Sequence, residues 1–267
     1  METPKFKPAG EARSSLPRAQ AALQELEKFV GVVHLGFEYA VNLSKLESLL
    51  GEYLELSQEQ LRERSQIEEY ARSQRENNFS YLYELAVVRI WSILEACCED
   101  LAIETISMDE SIRNSDTLRK LKGPLLEFSE LSSTEQARVL LQELRWEIKA
   151  PLQRGIGRFE VVLDAVGRGG PVDEIVRKVL FELSEIRNAI VHNNAKVDQR
   201  LAQNCSWLKV EIGQPISLSN NDFNRYITAV YWYIVELSVR SRELDDISLH
   251  DHRQTQEMLV SVLSNAQ

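Results

Sequence analysis

The chain has 267 residues, of which 31 are basic and 41 acidic, so its formal charge is −10. With 43% hydrophobic and 27% charged residues, the composition is that of a folded globular protein rather than of a disordered or fibrous one. The net negative charge excludes a protein that coats nucleic acid non-specifically, because that activity needs a broad surface of Lys and Arg.

Three cysteines, Cys97, Cys98 and Cys205, are too few for a disulfide framework or a four-cysteine zinc site. The first residues contain no apolar h-region, which predicts that no signal peptide is present. The sequence also lacks a run of about 18 apolar residues that could cross a membrane. Together these features predict a reducing, cytoplasmic location without membrane attachment.

Residues 1–16 mix Pro, Lys, Ser and Gly, and we expect them to form a flexible N-terminal arm. Residues 17–77 are acidic and carry leucines at three- and four-residue spacings, which predicts amphipathic helices. Within them, Ala40–Asn77 is predicted to form one long helix or two collinear ones. The much more apolar stretch Phe79–Ile106 predicts the central, buried helix of a second unit, residues 78–245.

A glycine-rich connection, Gly167–Pro171, precedes a helix that is expected to reach about His192. Period-two alternation over Trp207–Leu218 predicts a small β-hairpin. A last long helix then begins near Asn220, and residues 246–267 are expected to form a polar tail. The predicted fold class is all-α, a helical bundle with one small β-hairpin before the last long helix.

Arg187, Asn188 and His192 are the most chemically specific group in the sequence. On a helical wheel the apolar residues of their helix face the core, whereas Ser184, Asn188 and His192 lie on the side away from it. Imidazole can accept and return protons near neutral pH, as RNA cleavage through the ribose 2′-hydroxyl requires. A guanidinium can hold the phosphate and stabilise transition-state charge. A polar surface stripe ending in an Asn-Asn helix stop explains the same residues equally well.

The segment Arg187–His192 resembles the Arg-Asn-x-x-x-His signature of the higher eukaryote and prokaryote nucleotide-binding (HEPN) superfamily. The order of a late motif helix, a polar segment, a hairpin and a final amphipathic helix is also similar. In addition, Trp91–Glu95 looks like part of the earlier HEPN helix that packs on the motif helix. The resemblance is closest over residues 180–245 and does not extend before residue 40.

The resemblance implies an HEPN-like helical bundle that acts as a metal-independent endoribonuclease, often a toxin or antiviral defence effector, and works as a homodimer. In this pattern Arg187 and His192 are catalytic, Asn188 supports them, and an acidic residue of the earlier helix, here Glu95, contributes. Residues five apart on an ideal helix point about 140° away from each other. A groove shared by two motif helices across a two-fold axis would bring Arg187 and His192 together.

The sequence departs from the family pattern at one informative position. HEPN toxins that are paired with a nucleotidyltransferase antitoxin carry Tyr two residues after the His, where this chain has Asn194. Regulation by that kind of partner is therefore not expected.

Basic residues are concentrated around the motif. Residues 145–210 contain 11 basic and 8 acidic side chains, a formal charge of +3 that leaves −13 for the remainder. We expect Lys178, Lys196 and Arg200 to bind RNA, because a local patch can steer a phosphate backbone to one groove. A charge fluctuation without functional meaning is the competing interpretation.

We expect no metal site and no cofactor, since His250-Asp251-His252 has no third ligand at a usable spacing. The alternative function, from a different class, is a non-catalytic helical interaction or nucleotide-binding module. Residues 17–77 match no known pattern and are expected to shield the site or to bind a regulatory protein partner.

Overall fold

The computed structural model describes residues 14–43, 45, 57–120, 125–241 and 246–265. These residues are mostly helical and include no strand or barrel, which confirms the all-α class. The helices, in chain order, are α1 Ser15–Ala40, α2 Gln58–Glu76, α3 Ser80–Met108, α4 Glu110–Arg113, α5 Asp116–Arg119, α6 Leu125–Glu130, α7 Ser133–Glu147, α8 Gly157–Ala165, α9 Glu174–His192, α10 Gln199–Asn204, α11 Asn220–Arg240 and α12 Asp246–Asn265. Within the described ranges, no helix is both long and apolar enough to cross a membrane.

The central helix α3 is apolar on nearly all sides and is covered by α1, α7, α8, α9 and α11. A helix that is apolar all round must be buried, which is why α3 occupies the middle of the bundle. Asn78 and Phe79, both with left-handed backbone (φ 53° and 55°), turn the chain out of α2 and into α3. Asp109 ends α3 and caps α4 through the amides of Ser111 and Ile112. The predicted buried helix over Phe79–Ile106 is confirmed.

The motif helix α9 begins where Asp173 accepts hydrogen bonds from the amides of Ile175 (2.8 Å) and Val176 (3.3 Å). Such an N-cap satisfies backbone donors that have no partner within the helix. The helix ends at His192, as predicted. Ser184 is buried, whereas the wheel places it on the side away from the core. The amphipathic pattern locates the centre of the buried face but not its full width.

The connection between α8 and α9 is tight because it wraps around Arg240 of α11. The Arg240 guanidinium bonds Glu160 of α8 and the carbonyl oxygens of Gly170 and Pro171. A Cβ atom at Gly170 would lie 2.7 Å from Arg240 Nε, so a side chain cannot be accommodated there without movement. The glycine-rich segment therefore serves as a helix connector.

The predicted β-hairpin over Trp207–Leu218 is not formed. The chain instead makes a 3-10 helix, Ser206–Leu208, and then turns at Lys209, which has left-handed backbone (φ 54°). Residues 213–216 pair with the segment after the motif helix, through Val197 N–H to Gln214 O (2.8 Å) and Ile216 N–H to Ala195 O (2.7 Å). Non-local pairing has therefore replaced the local pairing that the alternating pattern predicts.

The C-terminal residues differ from the predicted polar tail. Asp246–Asn265 forms α12, which packs on α11, buries Leu263 and donates a hydrogen bond from Gln256 to Glu236 (2.9 Å). The first half of this helix, residues 246–257, contains only two apolar residues, so the sequence there resembles a polar tail.

The N-terminal prediction is testable only from residue 14 onward, because residues 1–13 lie outside the described residues. Ser15 already belongs to α1, and its amide and hydroxyl bond Glu104 of α3 at 2.9 and 2.8 Å. Leu16, Leu23 and Val30 are buried in the same core as α3 and α9. The helix α1 is thus an integral part of the bundle.

Candidate functional site

The motif residues lie on the last two turns of α9. Arg187 and Asn188 are half-buried and His192, the final helical residue, is exposed. Arg187 Nη1 donates a hydrogen bond to Asn188 Oδ1 (3.2 Å), whereas the buried Nε of Arg187 has no partner among the described residues. Asn188 therefore holds the arginine directly, and the guanidinium keeps donors available for a ligand.

The helix runs without a break from Glu174 to His192, so Arg187 and His192 diverge by about 140° as on an ideal helix. The chain then turns sharply, with left-handed backbone at Asn194 (φ 52°) and Ala195 (φ 54°). Asn193 Nδ2 fixes this turn by donating to Lys196 O at 2.8 Å. The turn presents His192 at an exposed helix end.

Arg187 carries a charge that no described carboxylate neutralises at ion-pair distance. Nearby arginines differ in this respect, since Arg200 pairs with Glu185 and Arg225 with Glu182. A half-buried cation without a carboxylate partner is a favourable place for an anion, because the charge has already lost part of its hydration.

A second arginine, Arg158 of α8, lies within electrostatic range of Arg187. Burial lowers the pKa of Arg158, Glu95 raises it, and the positive charges of Arg187 and Arg145 lower it further. The Arg158 guanidinium donates to Glu95 Oε1 (2.8 Å) and lies 5.1 Å from the ring centroid of Trp91. Its Nε is buried without a partner in the described residues.

Glu95, predicted as an acidic site residue, therefore pairs with Arg158, a residue that the sequence reasoning missed. Glu95 and Arg158 line a small cavity of about 190 Å³ with a second ion pair, Glu99 and Arg145. Arg158 lies in an ordinary amphipathic helix, and nothing in its local pattern distinguishes it from a solvated arginine.

The predicted RNA-binding residues occupy three different settings. Lys196 is exposed. The Lys178 ammonium lies 4.9 Å from the ring centroid of Trp207, a cation–π contact. Arg200 instead forms two hydrogen bonds with the buried carboxylate of Glu185, so its charge is already matched.

Two buried glutamates of α9 were also missed. Glu182 accepts hydrogen bonds from Arg225, from Tyr226 Oη (2.6 Å) and from Trp207 Nε1 (2.6 Å). Glu185 is bound by Arg200 and by Asn204 Nδ2 (2.7 Å). Their partners lie 15 to 44 residues away in sequence, so no local signal could have identified these pairs.

Comparison of the chain with protein-family models, with curated proteins and with solved structures found no match.

Proposed function

We propose that this protein is a metal-independent endoribonuclease of HEPN type that works as a homodimer, a toxin or defence effector. The observation that supports it most directly is Arg187, a half-buried arginine held by Asn188 and without a carboxylate partner in the described residues. A phosphodiester is an anion whose oxygens match guanidinium donors.

In the proposed reaction the ribose 2′-oxygen attacks the adjacent phosphorus, the new P–O2′ bond forms, and the P–O5′ bond breaks. His192 takes the proton from the 2′-hydroxyl, and a second imidazole delivers a proton to the leaving 5′-oxygen. Arg187 binds the phosphate oxygens and stabilises their growing charge. The products are a 2′,3′-cyclic phosphate and a 5′-hydroxyl.

A second copy of the chain would supply both the second imidazole and the missing geometry. Because Arg187 and His192 diverge on one unbroken helix, a groove between two motif helices lets Arg187 of one subunit and His192 of the other face a single phosphate. Val191, next to His192 and 46% exposed, is an apolar side chain that such an interface would cover.

Glu95 takes a positioning role in this proposal, since its direct partner is Arg158. Arg158 would supply a second guanidinium to the phosphate, and Glu95 would fix its orientation. Lys178 and Lys196 would contact RNA away from the cleaved bond. The N-terminal helices α1 and α2 would meet a regulatory protein partner through apolar side chains exposed on α1, among them Phe29 (58%) and Val32 (69%).

The divergence of Arg187 and His192 favours one alternative, a non-catalytic HEPN-like interaction or nucleotide-binding module in which Arg187 only holds an anion. An RNA cleavage assay distinguishes the nuclease from this non-catalytic alternative. The purified chain is incubated with RNA in EDTA beside Arg187→Ala and His192→Ala, with His250→Ala as the control for removal of an exposed histidine. The nuclease proposal predicts cleavage by the parent chain and by His250→Ala, and its loss in the other two variants.

Cleavage that survives both motif substitutions, or no cleavage of any RNA tried, contradicts the proposal. Light scattering gives the oligomeric state in the same samples. A strict monomer that still cleaves RNA contradicts the shared groove and would mean that one chain carries the whole active site.

A further inference from the structure

An open cleft of about 830 Å³ lies between the turn that precedes α8 and the N-terminal half of α9. Its walls combine basic and aromatic side chains, among them Arg154, Arg177, Lys178, Phe181 and Trp207, with the apolar side chain of Leu152. The cleft is separate from the cavity lined by Glu95 and Arg158.

The cleft carries a net positive charge. Arg154, Arg177 and Lys178 line it together with a single carboxylate, Glu174. None of the three cations forms an ion pair with a described carboxylate, and Arg154 bonds only the neutral amide of Asn204 (3.0 Å) among those residues. Three cations and one carboxylate leave this concavity with a net charge of +2, which attracts a polyanion.

The aromatic side chains in the cleft are held in place. Trp207 is 38% exposed, and its Nε1 donates to buried Glu182 at 2.6 Å, which fixes the plane of the indole. Phe181 is half-buried beneath Gly155, where an added Cβ would lie 3.1 Å from the ring. Gly155 also has a positive φ of 55°, so glycine is needed there to close the wall around Phe181. Rigid, partly exposed rings beside cations are the combination on which single-stranded bases stack.

The cleft and the motif lie along one side of α9. Lys178, Phe181, Asn188 and His192 follow one another at spacings of three, seven and four residues, which keeps them on a single helical stripe. Fourteen residues of helix separate Lys178 from His192, a rise of about 21 Å. That span corresponds to about six stacked nucleotides at 3.4 Å each.

The one acidic residue in the middle of this stripe does not interrupt the path. Glu185 is buried and bonded by both Arg200 and Asn204. A phosphate backbone that passes from the cleft to His192 would therefore meet a neutralised pair rather than a bare carboxylate.

We propose that this cleft binds the single-stranded RNA that flanks the cleaved bond, with a base stacked on Trp207 and phosphates held by Arg154, Arg177 and Lys178. The inference rests on the proposed function, because it assigns a subsite to the same substrate. The ligand is a single strand, because the cleft offers stacking surfaces that the paired bases of a duplex cannot reach.

Binding is measured by fluorescence anisotropy with a labelled 12-residue oligouridylate carrying 2′-O-methyl groups, which removes the nucleophile and prevents cleavage. The full chain is compared with Arg177→Ala/Lys178→Ala at several salt concentrations. Loss of two phosphate contacts is expected to lower the slope of log K against log salt by about 1.4, at roughly 0.7 for each contact on a single strand. Lys28→Ala/Arg253→Ala removes two exposed charges outside the cleft and should leave the slope unchanged.

Stacking is tested with Trp207→Leu, which is expected to weaken binding about 10-fold with the salt slope unchanged. Trp207→Phe keeps an aromatic face but not the bond to Glu182, so it should recover most of the affinity if stacking matters. Trp146→Leu, at an indole that is 68% exposed and outside the cleft, is the matched control and should bind as the parent chain does.

Unchanged affinity and slope in the cleft variants overturn the inference, as does a Trp207→Leu chain that binds as tightly as the parent. The two proposals fail separately. If cleavage requires Arg187 and His192 but no cleft variant changes binding, only the proposed role of the cleft is refuted. If the chain binds the oligonucleotide through the cleft but cleaves no RNA, the nuclease proposal is refuted and the cleft is supported as an RNA-binding site.

Discussion

Arg200 holds the buried carboxylate of Glu185 through two hydrogen bonds, Nε to Oε2 at 2.8 Å and Nη2 to Oε1 at 2.7 Å. The pair joins α10 to the middle of α9, between His192 and the cleft lined by Arg177 and Trp207. Burial acts to raise the pKa of Glu185, but the hydrogen bonds from Arg200 and Asn204 outweigh it and lower the pKa overall. The charge of Arg200 therefore serves the fold.

The substitution Arg200→Ala is expected to lower the free energy of unfolding by about 2 kcal/mol at pH 7, because it leaves a buried carboxylate with one fewer charged partner. Since the pKa of Glu185 is lowered in the folded state, its stabilising contribution is present above its ordinary pKa of 4.5. That contribution is lost as pH falls through the lowered value. Urea unfolding at pH 7 and below pH 4 should thus show a difference between the two chains that shrinks in acid.

Lys196→Ala is the matched control for Arg200→Ala. Lys196 is exposed and forms no ion pair with a described residue, so its removal should leave the urea midpoint unchanged. RNA affinity should show the opposite order from stability, with a larger loss in Lys196→Ala than in Arg200→Ala. A stable Arg200→Ala chain with impaired RNA binding would restore the direct role that the sequence predicts for Arg200.

The helices that carry the site could be predicted because their boundaries are marked locally. The motif helix α9 has an acidic N-cap at Asp173, and α3 has a continuous apolar run between polar ends. The helix end at His192 follows from the polar Asn193-Asn194 pair. The all-α class and the placement of Arg187, Asn188 and His192 on one helix required no tertiary information.

The features that were missed depend on contacts between distant segments. The alternation after Trp207 suggested a strand, but the indole bonds Glu182, and residues 213–216 pair with the chain that follows α9. Arg158 acquires its role only because α8 places it over Trp91 and beside Glu95. Such pairings arise from packing and leave no periodic trace in the sequence.

Glu95 and Arg158 are predicted to have opposite effects on RNA affinity. Arg158→Gln removes a cation near Arg187 and should weaken binding. Glu95→Gln removes the carboxylate that matches Arg158, so binding should tighten by about two- to fivefold, as for loss of a partly exposed ion pair. Anisotropy with the 2′-O-methyl oligonucleotide measures both.

Cleavage kinetics then test whether Glu95 acts on the reaction itself. A positioning role predicts that Glu95→Gln changes KM more than kcat. A fall in kcat of about 100-fold or more with unchanged affinity would contradict it and make Glu95 a general acid or base. Glu99→Gln, which breaks the neighbouring ion pair with Arg145, is the control.

The three thiols are predicted to be unreactive in the folded chain. Burial raises the pKa of Cys97 and of Cys205 to about 12, and the pKa of Cys98 is also raised well above its ordinary value. A thiolate is the reactive species, and these thiols are also shielded from reagent. Titration with a disulfide reagent at pH 8 should detect no reactive thiol without denaturant and all three thiols in urea. Rapid labelling of any one of them without denaturant would contradict the burial of that thiol.

Removal of α1 and α2 is predicted to unfold the protein rather than to release an active nuclease. In a chain that begins at Phe79, the surfaces of α3 and α11 that cover Leu16, Leu23 and Val30 become exposed. At about 2 kcal/mol for each buried aliphatic side chain, the loss is roughly 6 kcal/mol from these three alone. A total stability of about 5–15 kcal/mol does not tolerate a loss of that size together with the remaining contacts of α1.

The measurement is circular dichroism with thermal unfolding, beside a chain that begins at Ser14 and keeps all of α1. The Ser14 chain should melt cooperatively near the full-length midpoint, whereas the Phe79 chain should show no cooperative transition. A Phe79 chain that melts cooperatively and cleaves RNA faster than the parent would show that α1 and α2 shield the site. Since the core side chains of α1 face α3 and α11 while Phe29 and Val32 face outward, we expect regulation to act through the exposed face of α1 in the intact protein.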